Sequence, residues 1–221
     1  MNEPYHRSIT KKACADRMSP AALRSVVAGN LWQDFVTGQV GHPEYHFTDI
    51  PMTACLAYVE REHQLALRAL RRGYPRLARH AFGRLSHAVQ DFYAHSNYVQ
   101  LWVEAHPDGV QPEPLEEAVL RHPRLHLART YPIEFLCWLP GWDLLMKRFL
   151  APDSHTWMNL DTPKSLGCRH PRAFELAVRA AELRTRTELD HLLALIGAEL
   201  GEPGLSLFLD QGESHGTQTK N

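Results

Sequence analysis

One segment restricts the fold more than any other. Residues 75–104, PRLARHAFGRLSHAVQDFYAHSNYVQLWVE, follow Gly73 and open on Pro75, the ordinary punctuation between one helix and the next. The run predicts one long helix, and Phe92, Tyr93 and their apolar neighbours predict that it is largely buried. Yet it carries His87, Asp91 and His95. Ionisable groups taken out of water need hydrogen-bonding partners or a metal ion. The fold must therefore surround a helix that is both apolar and rich in ligand-type side chains.

The rest of the chain supplies helices to do so. Residues 8–17 can form a short one, with His6 just ahead of it. Ser19-Pro20 is a cap and first-turn pair opening a helix to near Gly29. Thr53 predicts a cap for a helix to about Arg72, with apolar residues at 56, 59, 66, 67 and 70. Shorter helices are expected near 114–120 and 133–150, and a last long one from His170-Pro171 to about Leu200. Residues 30–50 read as a long ordered loop, since their aromatic residues argue against disorder. Strand alternation is almost absent. The expectation is one all-α domain over residues 1–200, followed by a mobile tail over 201–221.

Composition removes several classes. Lys and Arg number 24 against 25 Asp and Glu, so the chain is not the basic type that nucleic-acid binding favours. No apolar run approaches the roughly 18 residues of a membrane span, so no transmembrane segment is expected. The start, MNEPYHRSITKKAC, has no signal-peptide character, so a cytoplasmic location is expected, with export by a signal-less route as the alternative. Cys14, Cys55, Cys137 and Cys168 lie far apart without a CxxC pair, which gives neither a disulfide framework nor a cysteine zinc knuckle. Histidine is abundant, at 14 of 221 residues.

Spacing makes some of those histidines suggestive. His87, Asp91 and His95 fall at i, i+4 and i+8, on one face of a helix. A single His-x3-Asp pair is ordinarily surface decoration, but three in register on a buried helix are not. His87 and His95 would lie about 12 Å apart along the axis, too far to share one ion with bonds near 2 Å. His87 and Asp91 can clamp one ion, His95 can serve another, and the carboxylate between them can bridge. Further ligands must come from elsewhere: His6, Asp34, His46, His155 and Asp161 are the candidates.

FGRLSHAVQDFYAHSNYV resembles the signature of the zinc-dependent phospholipase C superfamily, most closely its Het-C-like branch with the same His-x3-Asp-x3-His-Ser-Asn arrangement. YHRSIT, GNLWQD, EYHF and SHTWMNLDTP are similar to flanking segments of that family, so the resemblance spans about residues 5–190. It implies the all-α fold of the phospholipase C and P1 nuclease type and two or three Zn²⁺ ions. Asp34, His46, His87 and Asp91 would hold the first, and His6 with bridging Asp91 the second. His95, His155 and Asp161 would hold the third. It also implies release of a phospholipid headgroup, or cleavage of another phosphodiester, by metal-activated water, with Asp34 as the catalytic carboxylate. The secreted enzymes use a processed N-terminal Trp as a ligand. Here the chain begins Met-Asn-Glu-Pro-Tyr, and Glu3 or the amino terminus are the substitutes left open.

Two alternatives stand beside the phospholipase C-like hydrolase. One is an S1/P1-like nuclease, for which Arg68, Arg71, Arg72, Arg76, Arg79 and Arg84 form a basic run; a solvated helix face is the favoured explanation of that run. The other is a non-catalytic, metal-stabilised helical interaction module. Peripheral membrane contact is a minor expectation, carried by the aromatic residues near the ligand loops and the apolar segment 132–150.

Overall fold

A computed structural model describes residues 1–35, 38, 41–106, 117–134 and 147–211. Eight α-helices order them: α1 Glu3–Cys14, α2 Pro20–Leu31, α3 Met52–Arg71, α4 Pro75–Ala94, α5 Tyr98–Ala105, α6 Glu117–Leu120, α7 His155–Met158 and α8 Ala173–Leu209. Two isolated β-bridges occur, and no strand is found among the described residues. The chain is all-α.

α4 is the axis. α2, α3 and α8 all pack against it, and α1 lies across α2 and α8. From Leu85 to Ala94 every residue of α4 is buried, as its mixed apolar and polar sequence requires. α2 comes close because both partners are glycines at the crossing. A Cβ on Gly29 would run into the backbone of His80, and one on Gly83 into that of Val26 and Asn30.

The caps account for part of this layout. Ser19 Oγ accepts a hydrogen bond from the Ala22 N–H at 3.0 Å. α2 runs on to Leu31, and a 3-10 turn, Trp32–Asp34, follows at once. α3 begins at Met52 behind Pro51 and uses no side-chain cap, so Thr53 lies inside the helix. α1 starts earlier than the sequence suggests, which places His6 within it.

The long helix expected over 75–104 is two helices. α4 stops at Ala94, and α5 resumes at Tyr98. Helical propensity alone would carry the chain through. Other segments claim the backbone instead: Ala128 N–H donates to His95 O at 2.7 Å, Leu160 N–H to Ala94 O at 2.9 Å, and Asn97 N–H to His126 O at 3.3 Å. The interruption thus brings residues 126–128 and 160 to the end of α4.

The C-terminal segment also departs from expectation. Residues 201–209, expected within a mobile tail, continue α8 after a break at Gly201 (φ 64°). Arg79 clamps this piece, donating to Phe208 O at 2.8 Å and Leu207 O at 2.7 Å. Phe208 is fully buried against Phe82. Residues 212–221 lie outside the described part. By length and composition α8 could cross a bilayer, although no transmembrane segment is expected from the sequence. Here Leu189, Leu192 and Ile196 are fully buried, and α8 packs on α1 and α4. Of the helix expected near 133–150, residues 132–134 and Lys147–Phe149 are 3-10 turns, and 135–146 lie outside the described residues.

Candidate metal centre

Asp91 is the hub. It is buried on α4, and its two oxygens face different neighbours. Oδ2 lies 2.9 Å from His46 Nδ1 and 3.1 Å from His87 Nε2. Oδ1 lies 3.1 Å from His6 Nε2 and pairs closely with the Met1 ammonium. That ammonium is also 3.2 Å from Asp161 Oδ1. Burial would push the Asp91 carboxyl up, but the surrounding positive charge, the ammonium foremost, holds it well below the usual range.

Each neighbour has its own support. α1 carries His6 against α4, where its ring stacks on that of His87 at 4.1 Å. Asp34 sits on the 3-10 turn after α2, which Gln33 ties to α3 by donating to Tyr58 Oη at 2.6 Å. This leaves Asp34 Oδ1 3.6 Å from His87 Nε2. His46 is aimed by a strained turn. Phe47 adopts φ 50°, a region costly for a side chain of that size. The Phe47 ring goes into the core against Phe92, 5.6 Å away, while His46 turns to Asp91.

At the end of α4, His95 Nδ1 lies 2.9 Å from His46 O and Nε2 lies 2.9 Å from Asp161 Oδ1. The carbonyl can only accept, so Nδ1 donates to it, the usual outer support of a ligand histidine. The carboxylate likewise only accepts, so without an ion Nε2 donates to Asp161; burial would lower the His95 pKa, but the Asp91 and Asp161 charges raise it. His155 opens α7, capped by Ser154, and its ring lies 4.5 Å from that of His95.

All eight residues singled out from the sequence therefore gather in one region, in three groupings with ligand atoms within 4.8 Å of one another among the described residues. These are His6, Asp34 and His87; His46, His87 and Asp91; and His95, His155 and Asp161. His87 belongs to two of them. His87 and His95 share none.

The donors fit a divalent ion. His46 Nδ1, His87 Nε2 and Asp91 Oδ2 form a triangle with sides of 2.9, 3.1 and 3.2 Å. Ligands around tetrahedral zinc, with bonds near 2 Å, stand roughly 3.3 Å apart. His6 Nε2 is buried and makes no hydrogen bond. The Met1 ammonium, between the carboxylates of Asp91 and Asp161, occupies a place where the side chains demand a cation. Burial alone would lower its pKa, but those carboxylates raise it to about 10. Burial lowers His87 and His155 to about 4, aided by the nearby His6 and His95 respectively. Both imidazoles are neutral at pH 7, the form that binds metal. Burial raises the Asp34 carboxyl.

The structure adds two neighbours to the eight, the Met1 amine and Gln90, a buried carboxamide whose Oε1 is 2.7 Å from His6 Nδ1. The amine was one of two substitutes left open, whereas nothing about a glutamine in a helix marks it. Several histidines set aside as structural sit in ordinary settings: His63 is buried against Glu188, Nε2 to Oε2 2.8 Å, and His170 and His126 are exposed. His215 lies outside the described residues.

Comparison with known proteins shows what part of this chain is similar to. Residues 5–114 match the VWA7 N-terminal domain. The match covers just under half of the chain and includes His6, Asp34, His46, His87, Asp91 and His95, while His155 and Asp161 lie beyond it. The von Willebrand factor A domain-containing protein 7 of rat, mouse and human are each 39% identical over 90 residues, 39% of this chain. The aligned part is about a tenth of the length of those relatives. No solved structure matches.

The VWA7 match corrects the resemblance drawn from the central signature. The relationship is not to the zinc-dependent phospholipase C superfamily, its Het-C-like branch or the P1 nuclease fold. The phospholipase C-like phosphoric ester hydrolase and its role in lipid degradation fall with that family, and the S1/P1-like nuclease and non-catalytic module fare no better. The physical reason is the brevity of the signature. His-x3-Asp-x3-His encodes only ligands on one face of a helix, and that demand is the same whatever a helical domain does. Asp34 stays a candidate ligand; its role as a base depended on the hydrolase.

Proposed function

We propose that this chain is a metal-binding helical domain of VWA7 type, holding two zinc-class ions in a buried centre built on α4. The observation that carries the reading is the pair of separate ligand groupings on either side of Asp91. His46, His87 and Asp91 hold one ion, with Asp34 and His6 at its edge. His95, His155 and Asp161 hold the other. Two is the number favoured by chemistry. His87 turns a single Nε2 lone pair to this region, so the two groupings that include it serve one ion between them. Histidine and carboxylate ligands in this mixture suit zinc and its first-row neighbours. When bound, such ions supply concentrated positive charge and join the elements that carry their ligands.

The test is elemental analysis of the full chain, purified without chelators and dialysed against zinc. Two zinc ions per chain are expected. Less than one per chain would overturn the reading.

A further inference from the structure

Gln90, beside His6, has no role assigned so far, yet it is fully buried and uses its whole carboxamide. Its Nε2 donates to Thr10 Oγ1 and to Thr185 Oγ1, both at 3.1 Å. Its Oε1 lies 2.7 Å from His6 Nδ1 and receives a longer bond from Asn30 Nδ2 at 3.3 Å. The direction of this network is set at its ends. Thr185 Oγ1 donates to Ala181 O at 2.7 Å, so its oxygen is free to accept. Ser86 Oγ donates to Gly83 O at 2.7 Å and accepts from Asn30 Nδ2 at 3.0 Å. Backbone carbonyls can only accept. Turning the Gln90 amide round would set its NH₂ against that of Asn30 and strand the Thr185 oxygen.

We infer that Gln90 is a positioning residue for the metal centre: its carboxamide oxygen accepts the His6 Nδ1 proton and thereby presents His6 Nε2, unprotonated, to the Asp91 side of the centre. The inference rests on the metal reading above and adds how α8 enters it. Thr185 of α8 and Thr10 of α1 hold the amide, the amide fixes the tautomer of His6, and His6 Nε2 is left without a hydrogen bond 3.1 Å from Asp91 Oδ1. Outer partners of this kind typically change metal affinity by about 10–100-fold. The device alters the position of a proton, not the charge of the ring.

The experiment uses the full chain with ¹⁵N-labelled histidine. NMR of the metal-free protein reads the His6 tautomer, and competition with a chromophoric chelator reads zinc affinity. Wild type is expected to carry the His6 proton on Nδ1. Gln90→Leu should lose that preference and bind zinc about 10–100-fold more weakly. Gln90→Glu, which keeps an acceptor, should retain the tautomer and bind within a few-fold of wild type; it also serves if Gln90→Leu does not fold. A proton on Nε2 in wild type, or unchanged tautomer and affinity in Gln90→Leu, overturns the assignment. If wild type binds no zinc the metal reading fails by itself, and the tautomer, measured without metal, still decides the role of Gln90.

Discussion

Asp91 and Asp34 differ in a way that a single pair of substitutions can expose. Asp91 divides its oxygens between two sets of partners, Oδ1 toward His6 and Met1 and Oδ2 toward His46 and His87. Asp91→Asn removes the charge that both sets face, so loss of most bound zinc and a lower melting temperature are expected, because metal binding is partly folding free energy. Asp34 meets the centre at one point, 3.6 Å from His87, and Asp34→Asn should keep most of its zinc and melt near wild type. Equal losses in the two variants would contradict the hub role of Asp91. A second residue tests the electrostatics away from the centre. Burial works to raise the Glu188 carboxyl, but hydrogen bonding to His63 and the Arg184 guanidinium win and leave it below its ordinary value. A depressed carboxyl stabilises the fold above its unfolded pKa, near 4.3, and that contribution is lost as pH falls through the folded value. Glu188→Gln should therefore cost about 1.5–3 kcal/mol at pH 7. The gap in melting temperature from wild type, measured with chelator present, should narrow between pH 5 and 3. A constant gap would show that the charge of Glu188 is not what stabilises. At this scale the sequence was informative wherever residue type states a chemistry. All eight residues picked from it converge, three from the end of α4 and the others from α1, α7 and the turns and loops packed beside it. Gln90 was invisible since its role exists only once α1 and α8 have packed beside α4.

α2 and α4 meet where Gly29 and Gly83 let the backbones approach closely. Gly83→Ala places a methyl group against Val26 and Asn30 backbone atoms, which cannot swing aside as a side chain can. A loss of about 1–3 kcal/mol is expected, together with weaker zinc binding, because Gly83 lies one turn before the ligand His87 on α4. Gly73→Ala is the companion. Its methyl would meet open space, but φ is +75°, so it should lose about 1–2 kcal/mol and leave zinc affinity unchanged. Chemical denaturation and chelator competition on the two variants separate close packing from backbone strain; equal zinc affinities would remove the link between the α2–α4 contact and the centre. Elements with local signals were legible from sequence: Ser19 does cap α2, and Gly73-Pro75 does separate α3 from α4. The break at residues 95–97 was not, because its cause is distant. Carbonyls at the end of α4 are taken by Ala128 and Leu160, and nothing in HSNYV announces those partners. The helical segment after Gly201 was hidden for the same reason, since Arg79 holds it from more than a hundred residues away.

Across the whole molecule the all-α class was legible, while kinship was not. A short ligand signature reports which side chains share a helix face; the match over residues 5–114 also weighs the apolar and turn positions that build the surroundings, and it points elsewhere. The centre joins partners far apart along the chain: Asp91 to His46 over 45 residues, His95 to Asp161 over 66, and His6 to Gln90 over 84. Each closure restricts a long loop before any ligand atom is in place. A site assembled from such distant pieces is complete only on the native side of the folding barrier. An ion held there adds little to the speed of folding and lengthens the lifetime of the folded state, since interactions absent from the transition state act on the unfolding rate. The carboxylates and imidazoles at the end of α4 thus make a latch that closes last and must open first.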